Sequence, residues 1–207
     1  MIDIQTVPVA GLSPWTERGK IDIGDILDEN LWTEIETEAR GLASQAQLLE
    51  TRNVASHRDG SFASPSHFYG HGGGPLLVSV LRAPDMLNVV REASGLTRLV
   101  PVRCAYNFYR PGDYIGVHRD SVKSTVTVSF SLTPDLPAMG WAPTLREASS
   151  EALAAFVAQN GKLPVGQESL EIPYCAMVCF DGYNIPHWRP TCEADLGILG
   201  TLSFFDL

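Results

Sequence analysis

From Leu99 to the C-terminus the chain is a succession of short alternating runs, LVPVRCAYNFY, DYIGVH, STVTVSFSL, ESLEI, YCAMVCF and ILGTLSFF, separated by turn-forming residues. Apolar, β-branched and aromatic residues recurring at every second position, interrupted by Gly, Pro, Asp and Ser, are the pattern of strands with one buried face. So many short strands need their edges paired or covered, which a closed or double-sheet body achieves. One stretch breaks the pattern: Pro143 to Asn160 reads as a helix closed by Gly161. The expected fold is mainly β with flanking helices, a β-sandwich or jelly roll with helices packed outside.

The first third has a different texture. Leu31, Ile35, Leu42, Ala46 and Leu49 recur at helical spacing after Asp28, a suitable N-cap, and predict an amphipathic helix over residues 28 to 51. Pro84 opens a second helix that runs to Ser94 and ends at Gly95, a C-cap glycine. Between the two lies NVASHRDGSFASPSHFYGHGGGP, whose Gly, Ser and His content predicts a long loop, of the kind that serves as a lid. The irregular spacing of His57, His67 and His71 makes them surface or lid residues. The HGGG run lacks any G-x-S-x-G partner, which sets a serine hydrolase aside. With no repeat and no dividing linker, the 207 residues form one domain, with 1–98 as helical support and lid region and 99–207 as the jelly-roll core.

Composition narrows the function classes. Lys and Arg total 15 against 24 Asp and Glu, a net charge of −9, whereas binding a phosphate backbone needs clustered positive charge. Nucleic acid is therefore not an expected partner. No apolar run is long enough to span a bilayer, and the N-terminus MIDIQTVPVAGLSPW has no basic region followed by an apolar stretch. No membrane association is expected, and the expected compartment is the cytoplasm. Cys104, Cys175, Cys179 and Cys192 contain no C-x-x-C pair and read as reduced thiols.

The chemistry concentrates in two segments. In YIGVHRDS, His118 and Asp120 stand two residues apart in an extended run, so both side chains leave the same face. Far downstream, MVCFDGYNIPHWRP places His187 after a strand and a glycine turn, where it can complete a set of two histidines and one carboxylate. Three protein ligands on one face leave the other coordination positions open for substrate and dioxygen, the arrangement of non-haem iron(II) oxygenases. Zinc accepts the same ligands.

Taken with YNFYRPGDYIGV before the first pair and FDGYNIPH at the second histidine, the sequence resembles the iron(II)- and 2-oxoglutarate-dependent dioxygenases, in particular their prolyl-hydroxylase-like and AlkB-like branches. The resemblance covers residues 100 to 205. It implies a double-stranded β-helix, the cupin-like form of the jelly roll, and iron(II) held by His118, Asp120 and His187. It also implies 2-oxoglutarate and dioxygen as cosubstrates. AlkB-like members carry an N-x-Y pair before the first ligand that contacts 2-oxoglutarate, and Asn107 and Tyr109 stand at that spacing. Strand alternation supports the match, setting Arg103, Ala105, Asn107 and Tyr109 on one face and Val102, Cys104, Tyr106 and Phe108 on the other.

The pattern breaks at one point. The family anchors the distal carboxylate of 2-oxoglutarate with an Arg or Lys on the strand after the distal histidine, and the tail PTCEADLGILGTLSFFDL has neither, with Gly197 near the expected place. Arg189, two residues after His187, and Arg103 are the replacement candidates, while Arg110 and Lys123 are expected to face solvent. The paired C-terminal arginines of AlkB-like repair enzymes are also missing. Retention of Asp120 argues against a halogenase. The expected activity is oxidation, by default hydroxylation, of a small polar molecule such as an amino acid or a biosynthetic intermediate, with Trp141, Trp188, Phe68 and Tyr69 available to line the substrate side. The alternatives are an iron(II) oxidase that does not use 2-oxoglutarate, a non-catalytic cupin-like binding protein, and a zinc hydrolase. The oligomeric state is left open.

Overall fold

A computed structural model describes residues 20–24, 26–51, 55–57, 60–165 and 167–207. Its strands are β1 (Lys20–Gly24), β2 (Gln47–Thr51), β3 (Ala55–His57), β4 (Gly60–Phe62), β5 (Ser66–Gly72), β6 (Leu99–Tyr109), β7 (Ile115–Arg119), β8 (Val126–Ser131), β9 (Met139–Trp141), β10 (Glu168–Leu170), β11 (Met177–Phe180), β12 (His187–Arg189) and β13 (Gly197–Asp206). The helices are α1 (Glu29–Leu42), α2 (Pro75–Arg82), α3 (Pro84–Ser94) and α4 (Ser150–Asn160). Two sheets form, a seven-stranded one in the order β1-β11-β8-β13-β6-β5-β2 and a six-stranded one in the order β10-β9-β12-β7-β4-β3. All their strand pairs are antiparallel, and sequence neighbours such as β7 and β8 fall in different sheets. This is the jelly roll expected from the strand texture, in the double-stranded β-helix form that the resemblance implies.

Three apolar clusters hold the layers. The outer face of the large sheet, with Tyr106, Phe108, Val126, Val128, Phe130, Leu202 and Phe204, packs against Trp32 and Ile35 of α1, Leu77 and Val80 of α2, and Met86 and Val90 of α3. Trp32 meets Phe130 edge to face at 5.5 Å. Between the sheets, Phe68, Tyr109, Ile115, Trp141, Phe180 and Leu199 form a second cluster. On the far side of the small sheet, Val117 and Trp188 are covered by Leu153 and Phe156 of α4. No helix among the described residues is long and apolar enough to cross a membrane.

The second predicted helix, Pro84 to Ser94 with Gly95 as its left-handed cap at φ 73°, is found as expected. Three other stretches differ from the sequence expectation. α1 begins at the Asp28 cap, whose carboxylate accepts from Leu31 N at 2.9 Å, but it stops at Leu42. Residues 47–51 instead pair with β5, so a tertiary partner overrides a helical spacing that continued only through Ala46 and Leu49. The expected long loop contains β3, β4 and β5, because ladder hydrogen bonds use the backbone and tolerate Gly- and Ser-rich sequence when a partner strand is present. The lid expectation for 52–54 and 58–59, and the reading of residues 1–19, fall outside the described residues.

The third difference has a specific cause. The insertion is a short 3-10 turn at Pro143–Leu145 followed by α4, not one helix from 143. The carbonyls of Leu145, Arg146 and Ala148 all accept from Arg119 Nη2, at 2.8, 2.9 and 3.0 Å, Leu145 O also accepts from Ala148 N, and α4 starts only at its Ser149 cap. Arg119 also donates through Nε to Asn184 O at 3.0 Å, tying β7 to the turn that precedes β12.

Candidate metal centre

Register brings the three predicted ligands together. β12 lies antiparallel to β7 with His187 directly opposite His118, and Asp120 follows immediately after β7. The imidazole centroids are 4.2 Å apart, and both Nε2 atoms lie 3.8 Å from Asp120 Oδ1. All three ligand atoms fall within 4.8 Å of one another. Each ring is oriented by its other nitrogen: His118 Nδ1 donates to Gly116 O and His187 Nδ1 to Ile185 O, both at 2.9 Å. That pattern fixes the tautomer that leaves Nε2 as a lone-pair donor. Burial, followed by the proximity of His187, holds His118 below the usual histidine range, so its ring is neutral as ligation requires.

A pocket opens over the triad. Asn107, Tyr109, Thr127, Ser129, Thr201 and Arg189 supply its polar wall, and Ile115, Met139, Phe180 and Leu199 its apolar wall. Four of those polar atoms are buried without a hydrogen-bond partner: Tyr109 Oη, Ser129 Oγ, and Nε and Nη2 of Arg189. Arg189 is 1% exposed, and its third guanidinium nitrogen, Nη1, donates to Pro137 O at 2.5 Å. The guanidinium lies over the Tyr109 ring at 5.4 Å. Burial pushes the Tyr109 phenol up to about 12 although the Arg189 charge opposes the shift, so at neutral pH it is a protonated donor.

The two candidate cations therefore have different surroundings. Arg189 stands inside the pocket, whereas Arg103 is exposed and outside its lining. Gly197 begins β13, packed so that a Cβ would press on the end of the Leu136 side chain. Arg110 is exposed and stacks on Tyr69 at 4.1 Å, and Lys123 is exposed. His67 pairs with Asp113 at 2.7 Å away from the triad, and His57 lies on β3. Of the aromatic candidates, Trp141 lies 5.9 Å from His187 and Phe68 stacks on Tyr109 at 5.9 Å, while Trp188 faces α4 and donates to Pro164 O.

Sequence reading overlooked Thr127, Ser129 and Gly182. Thr127 and Ser129 had a visible signal, since TVTVSFS alternates polar and apolar residues and sends one set inward. Gly182 had none beyond its place in a turn. A Cβ there would overlap Asp120 Oδ2, and its carbonyl accepts from Asp120 N at 2.8 Å.

Neither a protein-family model nor a curated protein sequence matches the chain. Solved structures do match its shape. The non-haem α-ketoglutarate-dependent carbocyclase SnoK from nogalamycin biosynthesis aligns with a TM-score of 0.69 at 13% identity, over 97% of this chain and 85% of its own. The fold is that of the iron(II)- and 2-oxoglutarate-dependent oxygenases. The epimerase SnoN from the same biosynthesis gives 0.67 at 14% identity, over 92% and 79%. A Pseudomonas putida prolyl-4-hydroxylase gives 0.58 at 15%, over 92% and 94%.

Proposed function

We propose that the protein is an iron(II)- and 2-oxoglutarate-dependent oxygenase acting on a C–H bond of a small polar molecule, with hydroxylation as the default outcome. The observation that carries this is the set of unpartnered polar atoms beside the triad. A buried guanidinium with two unused donors costs stability unless something pairs with it when the protein works. Nε and Nη2 form one edge of the guanidinium, a planar fork that matches a carboxylate, and the Tyr109 hydroxyl adds a third donor. A dicarboxylate whose other end chelates the metal fits such a pocket, and 2-oxoglutarate has that form.

His118 Nε2, Asp120 Oδ1 and His187 Nε2 would hold the iron, and Arg189 with Tyr109 would hold the distal carboxylate of 2-oxoglutarate. Asn107, on the same wall, would flank the cosubstrate. Bound iron(II), 2-oxoglutarate and dioxygen together supply an oxidant that removes hydrogen from an unactivated C–H bond, leaving succinate and carbon dioxide. The protein's part is to place the reactants and exclude water, for which the Ile115, Met139, Phe180 and Leu199 wall is suited. SnoN has been solved in complex with Fe3+, α-ketoglutarate and nogalamycin RO, which supports both the cofactors and a small-molecule substrate. Anaerobic addition of iron(II) and then 2-oxoglutarate to metal-free protein tests the proposal. A visible charge-transfer band, and succinate once oxygen is admitted, are expected. Absence of both would overturn the assignment, and iron-dependent oxygen uptake without succinate would favour an oxidase that does not use 2-oxoglutarate.

A further inference from the structure

Asp120 is the one ligand outside regular structure. Both histidines sit on strands, whereas the carboxylate follows the last residue of β7 and needs other restraints to hold its place. Its backbone N–H donates to Gly182 O. Its two oxygens are used differently: Oδ1 faces both imidazole Nε2 atoms, and Oδ2 accepts from Thr127 Oγ1 at 2.5 Å. Thr127 lies on β8, 5% exposed, its β-branched side chain limited to few rotamers. Oδ2 also lies against Gly182, at a spot where a Cβ would overlap it.

We infer that Thr127 is a positioning residue that occupies Asp120 Oδ2 and so limits the carboxylate to a single oxygen, Oδ1, toward the metal. The inference rests on the triad being the metal site and deepens that reading. An ionised carboxylate only accepts hydrogen bonds, so the Thr127 hydroxyl is the donor, and a donor on Oδ2 competes with chelation through both oxygens. With one oxygen from Asp120 and one nitrogen from each histidine, a metal held there would keep positions free for 2-oxoglutarate and dioxygen. A carboxylate free to chelate would occupy one of those positions.

The test compares Thr127→Val, which keeps the shape and removes the hydroxyl, with Thr127→Ser, which keeps the hydroxyl. Mn(II) affinity is read from the EPR signal of the free ion, and the coordination number from the visible absorption of Co(II)-substituted protein. Loss of a group that orients a ligand typically weakens metal binding about 10- to 100-fold, the effect expected for Thr127→Val. Its Co(II) spectrum should also change and its KM for 2-oxoglutarate rise, while Thr127→Ser stays close to the parent protein in all three. Thr127→Ala serves if the valine variant does not fold. Wild-type Mn(II) affinity and an unchanged Co(II) spectrum in Thr127→Val would overturn the inference. So would equal impairment of Thr127→Ser, which would assign the effect to packing. Mn(II) binding that survives His118→Ala would instead overturn the metal-site reading, and the inference with it.

Discussion

The two faces of the large sheet are built from the same strands in alternation and meet different demands. On the outer face, Tyr106 is buried and its hydroxyl reaches Glu38 Oε1 at 2.7 Å, while Glu38 also accepts from the first N–H groups of α2. On the inner face, three residues along the same strand, Tyr109 is equally buried and its hydroxyl has no partner. Single unpaired atoms occur elsewhere among the described residues, at His71, Arg91 and Ser124, but in the pocket four converge beside a ligand triad. The outer face pairs its Tyr106 hydroxyl within the protein, and its unpaired atoms are isolated ones such as His71 Nδ1. A face left unpaired in one place has donors available for a ligand.

Substitutions on each face can break or sharpen this contrast. The largest effect is expected on the outer face: Phe130→Ala removes a fully buried ring against Trp32 and should cost about 3–5 kcal/mol in denaturant unfolding, with KM for 2-oxoglutarate unchanged in protein that remains folded. Next comes Arg189→Met. Hydrogen bonds to charged groups contribute about 1.5–3 kcal/mol, so losing the fork should raise KM for 2-oxoglutarate on the order of a hundredfold while leaving Mn(II) affinity intact. The same variant should change the stability of the cosubstrate-free protein little, since losing the bond to Pro137 O is offset by removing two unpaired buried donors. A large loss of stability there would show that Arg189 is structural and break the comparison.

The smallest pair is the most diagnostic. Tyr106→Phe should cost about 1 kcal/mol of folding stability and nothing in 2-oxoglutarate binding, whereas Tyr109→Phe should leave stability unchanged and weaken 2-oxoglutarate by about fivefold, the equivalent of one hydrogen bond of about 1 kcal/mol. Thermal unfolding with and without Mn(II) and 2-oxoglutarate measures both. If the two phenylalanine variants behave alike, the inner-face hydroxyl is not a ligand contact.

Much of this was legible in the residues. Alternation in LVPVRCAYNFY placed Asn107 and Tyr109 on a polar face opposite Tyr106 and Phe108, and the pocket lining and core cluster divide them that way. The two-residue spacing of His118 and Asp120, together with the FDGYNIPH turn, singled out three side chains whose ligand atoms converge in the folded chain. The α3 boundaries followed from Pro84 and Gly95, whose backbone preferences act locally. These features share a cause, since each depends on strand periodicity or on the conformational limits of a single residue.

The remainder depended on contacts between residues far apart in the chain. Helical spacing continued past Leu42, but only pairing with β5 decided that 47–51 is a strand. Nothing near Pro143 indicates that Arg119 donates to three carbonyls in the turn before α4. Arg189 was the preferred anchor in the sequence and Arg103 the second candidate, because alternation sent both toward an interior face. Burial separates them, one enclosed beside Tyr109 and the other exposed. The sequence by itself determined which side chains could be ligands and which strand faces were polar, since period and residue chemistry are local. Only the tertiary structure decided which cation is enclosed with the triad and which oxygen of Asp120 is engaged by Thr127, since burial and hydrogen-bond partnership depend on strands that are distant in sequence.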